Sequence, residues 1–191
     1  MSTRSGAGAS GPAVGSTAAS QGAPGHGPCI IRPPRVEDAS AVWQLVCDSG
    51  VLDPNSPYCY LLMAYHFGAT SVVAEAHGRV VGFVYAYLPP ERPHTVFVWQ
   101  VGVAAEQRGT GLGTRLLEGV LARDACRETR YLESTVGPGN AASLALFRGL
   151  ARRLGADCSE HMCFGPELFP GGAHEAEQLL RIGPFGPGAG T

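Results

Sequence analysis

Trp99-Gln100-Val101-Gly102-Val103-Ala104-Ala105-Glu106-Gln107-Arg108-Gly109-Thr110-Gly111-Leu112-Gly113-Thr114 reads as a strand entering a glycine-rich turn that opens directly into a helix. Thr95 to Val103 is rich in β-branched and aromatic residues. From Leu112 to about Cys126, Leu116, Leu117, Val120 and Leu121 recur on one helical face. Glycines let a backbone approach a ligand closely, and the unpaired amides at a helix start favour an anion. That is the chemistry needed to hold a pyrophosphate. The spacing is not G-x-G-x-x-G, and no Gly-Lys-Ser/Thr follows, which removes dinucleotide and P-loop readings. What remains is Arg108-x-x-Gly111-x-Gly113 behind Val101-x-Val103.

Working outward, the elements alternate. Cys29-Ile30-Ile31-Arg32 is a short strand stopped by Pro33-Pro34. Glu37-Asp38 open an amphipathic helix with Ala41, Val42, Leu45 and Val46 at helical spacing. Asp48 to Pro57 is a loop, and Tyr58 to Phe67 a second helix. Thr70 to Ala76 and Arg79 to Leu88 flank His77-Gly78 as a β-hairpin. Downstream, Tyr131 to Val136 is a strand, Asn140 caps a helix running to about Arg153, and Gly155 ends it. Cys158 to Phe164 is a further strand; from Gly165 onward the chain reads as loop, with Leu179 to Ile182 a candidate short strand outside the main order. The order β-α-α-β-β-β-α-β-α-β predicts an α/β layer fold.

The chain has 191 residues, a length suited to one domain. Residues 1–27 are Gly, Ser, Ala, Pro and Thr with few large apolar groups, so a disordered tail is expected there. The folded domain is expected over residues 28–185, with residues 186–191 a flexible C-terminus. The formal net charge is -2 and no basic cluster exists, which argues against nucleic acid as a partner. No run approaches the ~20 apolar residues that span a bilayer, and the N-terminus lacks a signal-peptide pattern. The six cysteines show no C-x-x-C pair, which suits free thiols in a reducing cytoplasm. Cys158, His161 and Cys163 would alternate between faces of one strand, so no metal is expected.

The segment Arg108-x-x-Gly111-x-Gly113 resembles the acetyl-CoA motif of the GNAT acetyltransferase superfamily. Asn140-x-x-Ser143-x-x-Leu146-Phe147 resembles that superfamily's second motif, and the likeness covers roughly residues 29 to 165. It implies the GNAT (acyl-CoA N-acyltransferase) fold, a mixed, mostly antiparallel sheet flanked by helices. It also implies acetyl-CoA as co-substrate, with no metal. Val101, Gly102 and Val103 would face pantetheine, and the turn formed by Arg108, Gly109, Thr110, Gly111, Leu112, Gly113 and Thr114 would take the pyrophosphate. Asn140 and Phe147 would lie beside the CoA. Many relatives carry a tyrosine where Phe147 stands, as the acid for the departing thiolate. Phenylalanine cannot donate a proton, which leaves Tyr58 and Tyr65 as candidates or no direct acid at all.

Four blocks resemble the L-2,4-diaminobutyrate acetyltransferases of ectoine biosynthesis: residues 52–62, 97–103, 146–151 and 174–182. They include segments with no part in CoA binding. The resemblance implies transfer of acetyl from acetyl-CoA to the γ-amine of a diamino acid, directly within a ternary complex. Such an acceptor needs acidic partners for its ammonium groups and a donor for its carboxylate. Asp53 either holds an ammonium or only shapes the turn before Pro54. Trp99 either walls the acceptor pocket or belongs to the core, and simple alternation places it on the face of Val101 and Val103. Tyr58, His174 and Glu177 complete the expected acceptor site, with Glu177, Tyr58 and Asp53 as the catalytic candidates. No arginine stands out for the substrate carboxylate. Acetylation of a polyamine or a protein N-terminus, and a non-catalytic acetyl-CoA sensor, remain alternative readings. The fold implied also commonly forms homodimers through its edge strands.

Overall fold

The computed structural model describes residues 29–171 and 174–186. The expected disordered tail, and residues 187–191 of the expected flexible C-terminus, lie outside the described residues. Seven strands form one sheet in the order β1-β2-β3-β4-β5-β7-β6. They are β1 (Ile30–Arg32), β2 (Val72–Ala76), β3 (Arg79–Tyr87), β4 (Thr95–Val103), β5 (Tyr131–Val136), β6 (Cys158–Phe164) and β7 (Glu177–Ile182). Four helices cover it: α1 (Ala39–Ser49), α2 (Pro57–Phe67), α3 (Leu112–Leu121) and α4 (Ala141–Leu154). All neighbouring strands run antiparallel except β4 and β5. This is the mixed, mostly antiparallel sheet flanked by helices that the motifs implied.

The two faces of the sheet bury separate cores. On one, Leu112, Leu116, Leu117 and Val120 of α3 and Phe147 and Leu150 of α4 pack on Val84, Val96, Val98 and Leu132. On the other, Val42, Leu45 and Val46 of α1 and Tyr60 and Met63 of α2 pack on Val73, Phe83 and Tyr85. The N-terminal strand is fastened to both neighbours by Arg32. Its guanidinium grips Asp38 with a forked pair of hydrogen bonds of 2.7 and 2.8 Å and reaches Glu75 at 2.7 Å. That contact holds the Asp38 carboxyl below the usual carboxylate range.

Boundaries shift where side chains replace backbone pairing. Thr70 and Ser71 stand outside β2, yet both hydroxyls donate to the carbonyl of Ala86, prolonging the hairpin without a ladder. α3 stops at Leu121, five residues short of the expected end; Asp124–Cys126 forms a separate single turn. The segment read as a short terminal strand begins at Glu177 and sits inside the sheet, between β5 and β6.

Two departures in β4 create the site. First, β4 pairs with β5 only from Thr95 to Phe97, opposite Tyr131 to Glu133, while its pairing with β3 continues to Val103. The strands then part, with the Ser134 hydroxyl donating to the Val98 carbonyl, 3.0 Å, at the fork. Second, Tyr85 pairs with Gln100 but Ala86 with Val98, leaving Trp99 as a bulged residue. The bulge resets the alternation, so the expectation that Trp99 shares a face with Val101 and Val103 is corrected. Val101 and Val103 pack toward α3 and α4, and Trp99 packs toward α1 and α2.

Gly102 shows how little room β4 has. A Cβ there would lie 2.5 Å from Phe83 Cε1 and 3.1 Å from Leu45 Cδ2. Both neighbours are held in the core, so Gly102→Ala is expected to cost about 1–3 kcal/mol of stability. Urea unfolding monitored by circular dichroism checks this; an unchanged midpoint would show that Phe83 and Leu45 can yield.

Candidate active site

The fork between β4 and β5 leads into a cavity of about 650 Å³. The walls come from the loop after α1 (Leu52, Asp53, Asn55), from β4 (Phe97, Trp99, Gln100), from β5 (Ser134, Thr135, Val136) and from the segment before and within β7 (His174, Glu177, Leu179). Asn140 at the cap of α4, with Ser143 and Phe147 inside the helix, completes the lining.

The loop bearing Asp53 is fixed by side chains from three directions. The Gln100 amide donates to the Asp53 carbonyl at 3.3 Å. Tyr60 accepts from the Asn55 amide, 3.3 Å, and donates to Gln100 Oε1, 3.1 Å. Trp43 Nε1 donates to the Asn55 carbonyl at 3.1 Å. The bulge is what makes this possible, because it turns Gln100 as well as Trp99 toward the α1–α2 face. Pro57 then starts α2, where its missing N–H costs nothing.

Three of the sequence candidates meet at the mouth. His174 Nε2 stands 3.4 Å from Asp53 Oδ2 and 4.0 Å from Glu177 Oε1. Its ring stacks on Phe169, with centroids 4.0 Å apart. His174 prefers its charged form more than a free histidine does, chiefly because Nδ1 bonds the Glu175 carbonyl and then because Asp53 is adjacent. Burial pushes the Glu177 carboxyl up, and the Thr135 hydroxyl and His174 offset part of that rise. Glu177 is 19% exposed and Asp53 89%. The site therefore has one sheltered carboxylate and one open to solvent.

Trp99 lines the cavity and packs on Tyr60, ring centroids 5.7 Å apart. Tyr58 and Tyr65 are placed elsewhere: they are 65% and 73% exposed on α2 and line no part of the cavity. Their separation from Tyr60, which points inward, follows from the helical period. Among the described residues Tyr87 is the tyrosine in the cavity wall, and burial raises its pKa while Arg92 partly opposes this. Tyr60, Gln100, Tyr87 and Arg92 were not singled out from sequence. Gln100 and Tyr60 fell within quoted blocks, and nothing in the sequence set them apart there.

A groove of about 160 Å³ adjoins the cavity, lined by Val101, Gly102, Val103, Arg108, Asn140, Ser143 and Leu146. Arg108 is tethered to the Ser49 carbonyl, 3.2 Å. Gly109 and Gly111 have φ of 74° and 78°, which L side chains rarely adopt. Gly113 lies against α4, where an added Cβ would sit 3.3 Å from Leu146 Cδ1. The amides of Leu112, Gly113 and Thr114, at the first turn of α3, have no partner four residues back. The Leu112 side chain itself is buried, so only its backbone faces the turn. Thr110 Oγ1 folds back on the Gln107 carbonyl, 2.8 Å. Asn140 caps α4, its side chain accepting from the Ser143 amide at 3.0 Å. These groups make an anion cradle leading into an apolar slot, which fits a pyrophosphate with a pantetheine arm.

The family model for the acetyltransferase (GNAT) family matches residues 40–151. A protein from Halalkalibacterium halodurans, L-2,4-diaminobutyric acid acetyltransferase, is 49% identical over 157 residues, 82% of each chain. The protein of that name from Bordetella parapertussis is 51% identical over 156 residues, 81% of this chain and 84% of its own. The chain belongs to the GNAT family, in its L-2,4-diaminobutyric acid acetyltransferase branch. A solved structure, diaminobutyrate acetyltransferase EctA from Paenibacillus lautus with its substrate L-2,4-diaminobutyric acid and coenzyme A, superposes with a TM-score of 0.81. It is 42% identical, covering 84% of this chain and 97% of its own. This GNAT chain is thus an acetyl-CoA-dependent N-acetyltransferase. Among the described residues of the acetyltransferase, no group of His, Cys, Asp and Glu could hold a metal ion. None of its described helices is long and apolar enough to cross a membrane.

Proposed function

We propose that the enzyme acetylates the γ-amine of L-2,4-diaminobutyrate, the step that precedes cyclisation to ectoine, a compatible solute made under osmotic stress. The observation that carries this is the convergence of Asp53, His174 and Glu177 on one cavity beside the CoA groove. The acceptor has two ammonium groups, and the mouth supplies two carboxylates with a histidine between them. Asp53 meets the α-ammonium. Glu177 takes the proton from the γ-ammonium, whose pKa in water is about 10. A carboxyl pKa raised by burial makes Glu177 a stronger base.

On the donor side, Val101 to Val103 and Asn140 hold the pantetheine arm, and Arg108 with the amides of 112–114 holds the pyrophosphate. Acetyl-CoA bound there supplies the acyl group as an activated thioester. Phe147, 1% exposed, lines the cavity and has no proton to donate. A homodimer in the cytoplasm is the working form we propose; it is supported by the exposed apolar residues Tyr58, Leu61 and Tyr65 along α2 and by the free cysteines.

The test is CoA release with diaminobutyrate, ornithine, lysine, spermidine and a short peptide, with NMR of each product. A preference of at least 10-fold in kcat/KM for diaminobutyrate, with acetyl on the γ-nitrogen, is the expected result. A preference for spermidine or peptide would overturn the acceptor assignment and leave the fold and donor groove standing.

A further inference from the structure

We infer that Arg92 is the residue that holds the acceptor's carboxylate, which rests on the proposed diamino acid acceptor. Asp53 and Glu177 answer the ammonium groups but leave the carboxylate without a partner. The whole chain contains no lysine. Among the described residues that line the cavity, Arg92 is the one arginine.

Its placement is fixed at both backbone and side chain. The Arg92 amide donates to the Pro89 carbonyl, 2.9 Å, and its own carbonyl accepts from Thr95, 2.9 Å. Nη1 donates to Glu133 Oε2 at 2.5 Å. Glu133 is fully buried and also accepts from Arg181, whose guanidinium lies 3.8 Å from the centroid of the Tyr131 ring. Two guanidinium groups thus share one carboxylate, and one positive charge remains. Glu133 is the hydrogen-bond partner of the Arg92 side chain among the described residues. A guanidinium has five N–H donors, so several are left for a ligand. Arg92 is 46% exposed, whereas Arg181 is covered by Tyr131 and lines no part of the cavity. Tyr87 and Phe97, with rings 5.3 Å apart, form the adjacent wall and limit the water that would screen the charge.

The spacing also suits a small amino acid. Glu133 and Thr135 lie two residues apart on one face of β5, about 7 Å along the strand. Arg92 is anchored at Glu133, and Glu177 at Thr135. Arg92 and Glu177 are thus anchored at neighbouring positions on one face of β5, a placement that suits a short acceptor carrying both a carboxylate and an amine. A long polyamine has nothing to offer Arg92.

Two measurements test this, with wild type, Arg92→Ala and Arg92→Lys. The first is kcat/KM for L-2,4-diaminobutyrate divided by that for 1,3-diaminopropane, which lacks the carboxylate. Arg92→Ala is expected to lower this ratio about 10- to 100-fold, mostly through KM, and Arg92→Lys to recover part of it. A purely structural Arg92 would affect both amines alike, and an unchanged ratio overturns the inference. The second is calorimetric binding of L-2-aminobutyrate, which has the carboxylate but no γ-amine. Binding to wild type that is lost in Arg92→Ala supports the carboxylate site even if turnover favours another acceptor, and equal binding to both overturns it.

Discussion

Glu177→Gln is expected to lower kcat by about 10²- to 10⁴-fold, the range for loss of a general base. Glutamine keeps the size of the side chain and a hydrogen bond from Thr135, so CoA binding and stability should change little. The pH profile separates this role from a packing role. With Glu177 as the proposed base, the wild-type rate requires its ionised form. Burial lifts its pKa, so the acid limb of kcat/KM should fall at a pH above the ordinary glutamate range. In Glu177→Gln that limb should vanish. His174 titrates in the opposite sense, with its pKa raised by the Glu175 carbonyl and then by Asp53. Its positive charge is complete below the free-histidine range and is lost as pH rises through the raised value. A slow Glu177→Gln enzyme that keeps the acid limb would move the base to His174.

The glycine-rich turn of the candidate donor groove was legible because its geometry is local. Gly109, Gly111 and Gly113 occupy one turn, and each glycine answers a backbone or packing demand there. Asn140 announces a helix start by its residue type alone. The acceptor half comes from segments more than one hundred residues apart in sequence, and only likeness to a family joined Asp53 to His174 and Glu177. Trp99 shows where pattern reading stops. Alternation counts residues, but the bulge opposite Tyr85–Ala86 adds one and turns the tryptophan to the other face. Tyr58 and Tyr65 share a helix with Tyr60, and no composition rule says which of the three points inward. Arg92 sat inside Pro89-Pro90-Glu91-Arg92-Pro93, which reads as a turn and nothing more. Its meaning depends on Glu133 and Arg181, neither of them near it in the chain.

Glu133→Ala is expected to destabilise the fold more than any other single truncation of a polar group. Removing one partner of a buried ionic cluster typically costs about 3–5 kcal/mol, a large part of the 5–15 kcal/mol that holds a domain together. Here two guanidinium groups would be left facing each other across the space of the lost side chain. They are 46% and 34% exposed, so water can relieve part of the penalty, which places the expected cost near 3 kcal/mol. For a chain of this size that corresponds to a fall in Tm of roughly 6–12 °C. β5 pairs with β4 for only three residues, and Glu133 is the last of them. The same change should therefore loosen the fork and raise KM for the acceptor as Arg92 loses its anchor. Replacing Glu133 and Arg181 together with leucine removes the less exposed of the two stranded guanidinium groups and refills the space, since apolar groups of similar volume often match a buried ion pair in stability. The double variant should melt above Glu133→Ala although it lacks more polar groups. If Glu133→Ala instead costs under 1 kcal/mol, the carboxylate is not what fixes Arg92, and the charge facing the cavity must be held by the Pro89–Thr95 turn alone.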